Sequence, residues 1–507
     1  MKQFLRAAAL AVSLVMAGCL FAACGEEPPA QNGDPNENQN PNPKPDEIQA
    51  GQEGWYVLES KTVQGVDTTE EYLYNCMYLH DGAVSWYEID YTGKTEQTGT
   101  FSAADGKVTV TIGVRPYEFN FSEGVMSFSG KVNRRNVTMS YRYDKDFVLP
   151  VAESGVSFTE ELFGEDKNEN FYNYCPSVIM EGDTIHVWYC SNEKSGNVTD
   201  FVGYRKGTLN ASGKWEFGEK TLVLGPGDAG EWDSRHVCDP SVTKGAFAMN
   251  GETYSYVMAY LGCKTSNNCC NEVGIAVAKA PEGPWVKVES LNPVADWYNS
   301  AEYAADKWGY GQPSVISSDE AGKVILFYAK GTAKKTCTQV EEWDFSDLDN
   351  PVKIRSAEVR EKNSVNSSGS QDCINNADFA YDAVNKRLWC IKEDFPYPTD
   401  SEINWIAKTN VLMYADLGDE GLGALFGDTV YDWNKSGVLQ PTGKYVRAHN
   451  AGIVTNAYGR TVNAFRIPVF YTVSEAQSAY KDWYGYEQGW QWPALHTYRI
   501  HGTVFEI

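Results

Sequence analysis

The chain has 507 residues, 42% of them hydrophobic, with a formal net charge of −25 and an isoelectric point near 4.7. That much apolar material excludes a broadly disordered protein. The acidity excludes nucleic acid or an anionic lipid surface as the main partner, because both are held through basic patches.

Residues 1–24 read as an export signal, with Lys2 and Arg6 at its start and a small, apolar run from Ala7 to Ala17. Cys19 and Cys24 compete as a lipidation site. Cys24 is preferred because it ends the apolar segment and leads directly into Gly25-Glu26-Glu27. The segment resembles a bacterial lipoprotein signal. That resemblance implies export, a lipid on Cys24, and a bacterial cell-surface position held to the membrane through the N-terminal lipid alone. Residues 25–52 are dominated by Pro, Asn, Glu and Gln, cannot bury a core, and read as an extended tether.

Residues 53–148 read as a compact β-unit. Short runs such as Lys107–Ile112 and Tyr117–Phe121 alternate apolar and polar residues, and Asp81-Gly82, Asp105-Gly106 and Glu123-Gly124 mark tight hairpin turns between them. With its opening Trp55 and this strand rhythm, the unit resembles the small lipocalin-like barrels appended to some bacterial lipoproteins. A ligand in the barrel mouth and a spacer or docking module with a filled core are both compatible with it.

Residues 155–507 carry a repeat. Cys175-Pro176-Ser177-Val178, Asp239-Pro240-Ser241-Val242 and Gln312-Pro313-Ser314-Val315 share one pattern, and looser copies follow around Asp378 and His449. With Cys175, Asp239, Gln312, Asp378 and His449 as anchors, the steps are 64, 73, 66 and 71 residues. Each anchor is followed by a Gly or Asp turn and aromatic-rich strands, and long helical periodicity is absent. Five near-equal β-rich steps predict a five-bladed propeller, so the expected fold is all-β, a small barrel followed by that propeller. Proline at the opening of a strand costs no ladder bond, which fits the pattern. Equivalent residues at the openings of the innermost strands then meet around one axis.

The repeated region resembles the five-bladed propellers of furanosidase-type glycoside hydrolases, the clans of families 43, 32, 117 and 130. The best local match is Val273-Gly274-Ile275-Ala276-Val277-Ala278-Lys279-Ala280-Pro281-Glu282-Gly283-Pro284-Trp285. The resemblance implies hydrolysis of arabinose- or xylose-type glycans by carboxyl groups at strand openings. Asp239 matches the orienting Asp of that pattern. Cys175 and Gln312 stand where carboxyls are expected, a departure that favours a non-catalytic glycan-binding lipoprotein as the alternative, with a docking disc as a third reading. Glycoside hydrolysis uses two carboxyls. The assignment is Asp239 and Asp378 as the pair and Glu272 as reserve acid, with Glu393 and Asp394 further candidates. Arg235, His236, Gln312, Asn376, His449 and Asn450 hold sugar hydroxyls, and His236 and His449 are imidazoles able to act as general acids. Trp308, Trp405, Trp483 and Trp492 serve either as sugar platforms or as core. The expected partner is an oligo- or polysaccharide, and no nucleic acid.

No cofactor is expected, and a structural central ion such as calcium is left open. No Cys-x-x-Cys pair with a matching His pair points to zinc. Ten cysteines lie beyond the signal, and a local staple among Cys263, Cys269 and Cys270 is one pairing the spacing allows.

Overall fold

The computed structural model describes residues 49–69, 74–90, 93–145, 147, 161–164, 171–194, 197–210, 214–265, 269–362, 372–394, 406–463, 466–476 and 497–507. Cys24, Trp405, Trp483 and Trp492 lie outside the described residues.

The first unit is a closed barrel of eight strands, Gly54–Val63, Tyr74–His80, Ala83–Asp90, Gly93–Ala104, Lys107–Ile112, Arg115–Ser122, Val125–Val132 and Arg135–Asp144. They pair in chain order, and the last returns to the first from Trp55↔Asp144 to Val63↔Val137. Closure leaves these strands no free edge. The hairpin turns Asp81-Gly82, Asp105-Gly106 and Glu123-Gly124 each have both residues at positive φ, the geometry whose twist matches the flanking strands. Alternate residues point inward: Val108, Val110, Phe119, Met139 and Tyr141 are buried with Tyr56, Met77 and Trp86. One polar side chain sits among them. Buried Asn75 accepts the indole N–H of Trp86 (3.0 Å) and the hydroxyl of Tyr141 (2.8 Å), and donates to Glu88 (3.2 Å).

The second unit is a propeller of five antiparallel sheets. Their inner strands are Asn173–Glu181, His236–Met249, Gly309–Ser317, Ala377–Asp382 and Tyr445–Thr455, in blades one to five. Each touches the next around the ring. The ring closes where blades one and five pair in parallel at Val178↔Val454 and Ile179↔Thr455. A second closure lies at the rim. The outer strand of blade five is not its own sequel but Glu161–Phe163, from the start of the repeated region, paired with the C-terminal strand Arg499–Glu506. The chain's last blade is thereby tied to its first segment.

The apolar runs of the inner strands follow from this packing. Adjacent residues point to opposite faces of a strand, and each inner strand has a blade on both sides. Val178 packs towards blade five and Ile179 towards blade two; Val315 and Ile316, Phe379 and Ala380, and Ile453 and Val454 divide in the same way. The propeller therefore has five apolar cores, one between each pair of neighbouring blades.

Beneath the axis runs a hydrogen-bonded ring from blade to blade. Ser177 Oγ accepts the N–H of Val242 (3.1 Å), Ser241 Oγ that of Val315 (2.9 Å), Ser314 Oγ that of Phe379 (3.0 Å), and Asp378 Oδ2 that of Ile453 (2.8 Å). Gly452 occupies the fifth position, because a Cβ there would lie 2.1 Å from the carbonyl oxygen of Pro176 in blade one.

Candidate functional site

The true equivalents at the axis are identified by backbone conformation. Cys175, Asp239, Gln312, Asn376 and Asn450 have φ of 51°, 46°, 43°, 45° and 43°. A left-handed conformation is uncommon for any residue with a Cβ and is tolerated best by Asn and Asp. In blades one, two, three and five it coincides with a break in ladder register, between Tyr174 and Ser177, Cys238 and Ser241, Gly311 and Ser314, and His449 and Gly452. In blade four it immediately precedes the inner strand. The bulge frees one residue per blade from pairing and turns it to the axis. The sequence-based anchors Asp378 and His449 are therefore corrected to Asn376 and Asn450. With those residues the steps become 64, 73, 64 and 74.

Asp239 is the one carboxylate among the five anchors. It is buried, only 6% exposed. Desolvation is the main force that pushes its pKa up to about 7; the charges of Asp200 and Glu393 add to it, and a hydrogen bond from the Cys175 thiol opposes it. Beside it the Cys190–Cys238 disulfide joins blades one and two. This bond was not legible in the Cys spacing. Cys263, Cys269 and Cys270, the trio open to a local staple, are free thiols. Tyr174, Cys175 and Trp308 pack against the cluster formed by the disulfide and Leu261, and the Tyr174 hydroxyl lies 2.9 Å from Cys238 Sγ, next to Asp239.

Two further carboxylates approach from the blades. Asp200, at the head of blade one's third strand, accepts the hydroxyl of Tyr172 (2.7 Å) and lies 2.7 Å from Nδ1 of His236. Glu393, fully buried at the end of blade four's second strand, lies 3.3 Å from Asn376 Nδ2 and 3.3 Å from the backbone N–H of Asn450. Two anchors thus converge on one carboxylate. Gln312 is 9% exposed, and its Oε1 has no partner among the described residues.

The other expected residues have different surroundings. Asp378 belongs to the ring beneath the anchors: it takes the Ser314 hydroxyl (2.7 Å) as well as the Ile453 N–H. Desolvation raises its pKa to about 6 against those donors. Both oxygens are committed to joining blades three, four and five, so the geometry gives it a structural duty that the sequence assignment did not anticipate. Glu272 caps the loop after blade two, accepting the N–H groups of Trp297 (2.8 Å) and Tyr298 (3.3 Å). Burial first, then Asp296, raises it to about 7. Arg235 is exposed and contributes its backbone N–H to Cys263. His449 is fully buried and pairs Nδ1 with Asn450 Oδ1 at 2.6 Å; burial lowers its pKa to about 3, which leaves it neutral and unable to serve as a general acid near pH 7. Asp394 holds Thr409 at 2.8 Å. Asp200 was missed by sequence reasoning, since it lies on a third strand with no repeated motif around it.

No protein-family model and no curated protein matches this sequence. The chain is similar to solved structures of glycoside hydrolases. An α-L-arabinofuranosidase from Podospora anserina, in complex with cellotriose, matches with a TM-score of 0.40 and 11% identity over 69% of this chain and 95% of that one. The RS223 β-xylosidase matches with a TM-score of 0.39 and 13% identity, over 66% and 92%. A thermostable family-43 glycoside hydrolase gives 0.37 and 13%, over 60% and 84%.

Proposed function

We propose that the propeller is a carbohydrate-active module, a glycoside hydrolase that uses Asp239 as proton donor and Glu393 as the partner carboxylate. The observation that carries this reading is the axis itself. A buried carboxylate whose pKa is raised to about 7 feels the charge of a second buried carboxylate across the ring of anchors. A carboxyl that can hold a proton near neutral pH, beside a second carboxyl, is the pairing on which glycosidic cleavage draws. Tyr174 and Trp308 offer ring faces to a sugar, and Gln312, Asn376 and Asn450 offer amides. The substrate class to test is arabinose- or xylose-containing glycans, as the Gly274–Trp285 resemblance implies.

The test is a hydrolysis screen against aryl furanosides, aryl pyranosides and plant polysaccharides, with Asp239→Asn and Glu393→Gln alongside. Loss of turnover by more than about 100-fold in both variants supports the assignment; unchanged turnover in both removes it. Cys175 and Gln312, non-acidic at two of the five anchors, favour a second reading, a glycan-binding propeller without catalysis. A glycan that raises the melting temperature with no turnover on any substrate would establish that reading instead.

We further propose that Cys24 is lipidated and tethers the protein to the bacterial surface. Membrane fractionation of bacteria expressing the full chain checks this: Cys24→Ser should move the protein out of the membrane fraction, and unchanged partitioning would refute it.

A further inference from the structure

The interior of the barrel changes character towards one end. Alternate residues of a strand share a face. Ala83–Asp90 therefore turns Val84, Trp86 and Glu88 inward, and Arg135–Asp144 turns Arg135, Val137 and Met139 inward. On the first strand the register shifts between Leu58 and Ser60, which brings Lys61 to the same inner face. Its Nζ lies 2.8 Å from Glu88 Oε1, and the two side chains are only 11% and 26% exposed. A largely buried ion pair stabilises a fold no better than apolar residues of the same volume. Nor has a closed barrel an edge for inward charges to guard. Folding alone gives this pair no purpose.

The same residues border a cavity of about 490 Å³, within the ~300–1,000 Å³ of small-ligand sites. Its walls are mixed. The buried rings of Trp86 and Tyr117 meet edge to face at 5.1 Å and supply apolar surface. Four polar groups that border it make no hydrogen bond or ion pair among the described residues: the Gln97 amide, the Tyr117 hydroxyl, Glu88 Oε2 and the exposed Arg135 guanidinium. Glu88 is held in place by its other oxygen, which takes Lys61 Nζ and, at 3.2 Å, the amide of Asn75. Asn75 is fixed in turn by Trp86 and Tyr141. Lys61 and Glu88 cancel, so Arg135 is the unbalanced charge among the described residues that line the cavity, a positive one on a chain of net charge −25.

Each group sets a condition on the ligand. The planar fork of Arg135 suits a carboxylate. Glu88 Oε2 only accepts, so the ligand must also donate, and Gln97 and Tyr117 do both. The two rings need an apolar face against them. A sugar acid meets every condition, with one carboxylate, several hydroxyls that donate and accept, and a C–H face. A fatty acid satisfies Arg135 and the rings but leaves Glu88 and Gln97 without partners. We propose that the barrel binds a hexuronate, its carboxylate on Arg135, its hydroxyls on Glu88, Gln97 and Tyr117, and its C–H face against Trp86. The inference goes beyond the hydrolase reading of the propeller and does not rest on it.

The test is isothermal titration calorimetry of the full chain with sodium galacturonate and sodium glucuronate, set against galactose, glucose and sodium octanoate at one fixed salt concentration. At least one uronate should bind at a single site, more than about ten-fold tighter than its neutral counterpart. Arg135→Gln should erase that preference, and Gln97→Ala should weaken uronate binding without restoring affinity for the neutral sugar. Asp239→Asn, in the propeller, should leave the titration unchanged. Circular dichroism of each variant separates lost binding from lost folding. The proposal is overturned if neither uronate binds, if galactose or glucose binds as tightly as its acid, or if octanoate binds more tightly than both uronates. It is also overturned if uronate binding survives Arg135→Gln and Gln97→Ala but disappears in Asp239→Asn, which would place the ligand at the propeller axis. Hydrolysis is measured separately, so either reading can fail without the other.

Discussion

Asp239 and Asp378 both present carboxyl groups near the axis, and both have raised pKa values, yet their hydrogen-bond partners assign them opposite duties. The exchange Asp378→Asn tests this. The carboxylate takes the Ser314 hydroxyl at 2.7 Å and the Ile453 N–H at 2.8 Å. An asparagine retains one acceptor oxygen, so one of these bonds to a charged group is lost, at a cost of about 1.5–3 kcal/mol. Asp378→Ala orphans both donors, and at about 1–3 kcal/mol for each the cost becomes about 2–6 kcal/mol. The expected result is a graded fall in the urea midpoint or melting temperature of the propeller, wild type above Asn above Ala, while turnover per folded molecule changes by less than about three-fold. Asp239→Asn should behave the other way. It removes a carboxyl whose burial is unfavourable, so stability holds or rises while turnover collapses. The reasoning fails if Asp378→Asn abolishes turnover at an unchanged melting temperature, because the residue would then act on substrate rather than on Ile453 and Ser314.

Three further expectations follow from named contacts. Gly452→Ala would set a Cβ 2.1 Å from the Pro176 carbonyl oxygen at the seam between blades five and one, so soluble yield or melting temperature should drop sharply, and an unaffected variant would disprove tight closure there. Asn75→Ala in the barrel leaves the Trp86 and Tyr141 donors without their shared acceptor, a loss of about 2–6 kcal/mol, checked by the thermal transition of the full chain and by near-ultraviolet circular dichroism of Trp86. The native pKa values of Asp239 and Glu272, about 7, and of Asp378, about 6, lie above the usual carboxylate range. The native state therefore keeps protons that the unfolded chain releases from about pH 4 upward, and the stabilisation from these groups is complete below that pH and lost as pH rises to about 7. Consequently the melting temperature of Asp239→Asn minus that of wild type should grow between about pH 5 and about pH 8, and a shrinking difference would contradict the assigned direction.

What the sequence disclosed depended on whether a residue's role was local. The hairpin turns of the barrel were readable because Asp-Gly and Glu-Gly carry their positive φ in their own chemistry. The first three blades were readable because Pro-Ser-Val repeats without change. In blades four and five the proline is gone, and the motif degenerates to Asn376-Ala377-Asp378 and Asn450-Ala451-Gly452. Asp378 stands where blades one to three have serine and blade five has Gly452, so it is not the anchor of its blade. Polarity misled here: a serine-to-aspartate exchange in an interblade link looks like a catalytic carboxyl when read alone. The tolerance of asparagine for left-handed backbone was the signal that would have corrected it.

The remaining features depend on contacts between distant segments. The Cys190–Cys238 bond joins two blades through residues 48 apart in sequence, and Glu161–Phe163 pairs with a strand at the other end of the chain. Asn376 and Asn450, from two blades, both close on Glu393. A propeller concentrates such effects, because equivalent positions on five separate sheets become neighbours only at the axis. A residue there is defined by the blades on either side as much as by its own sequence. The same geometry explains how Asp239 can sit among a thiol, a disulfide and two other carboxylates that no sequence window contains, and why its protonation and its reactivity must be measured in the closed ring.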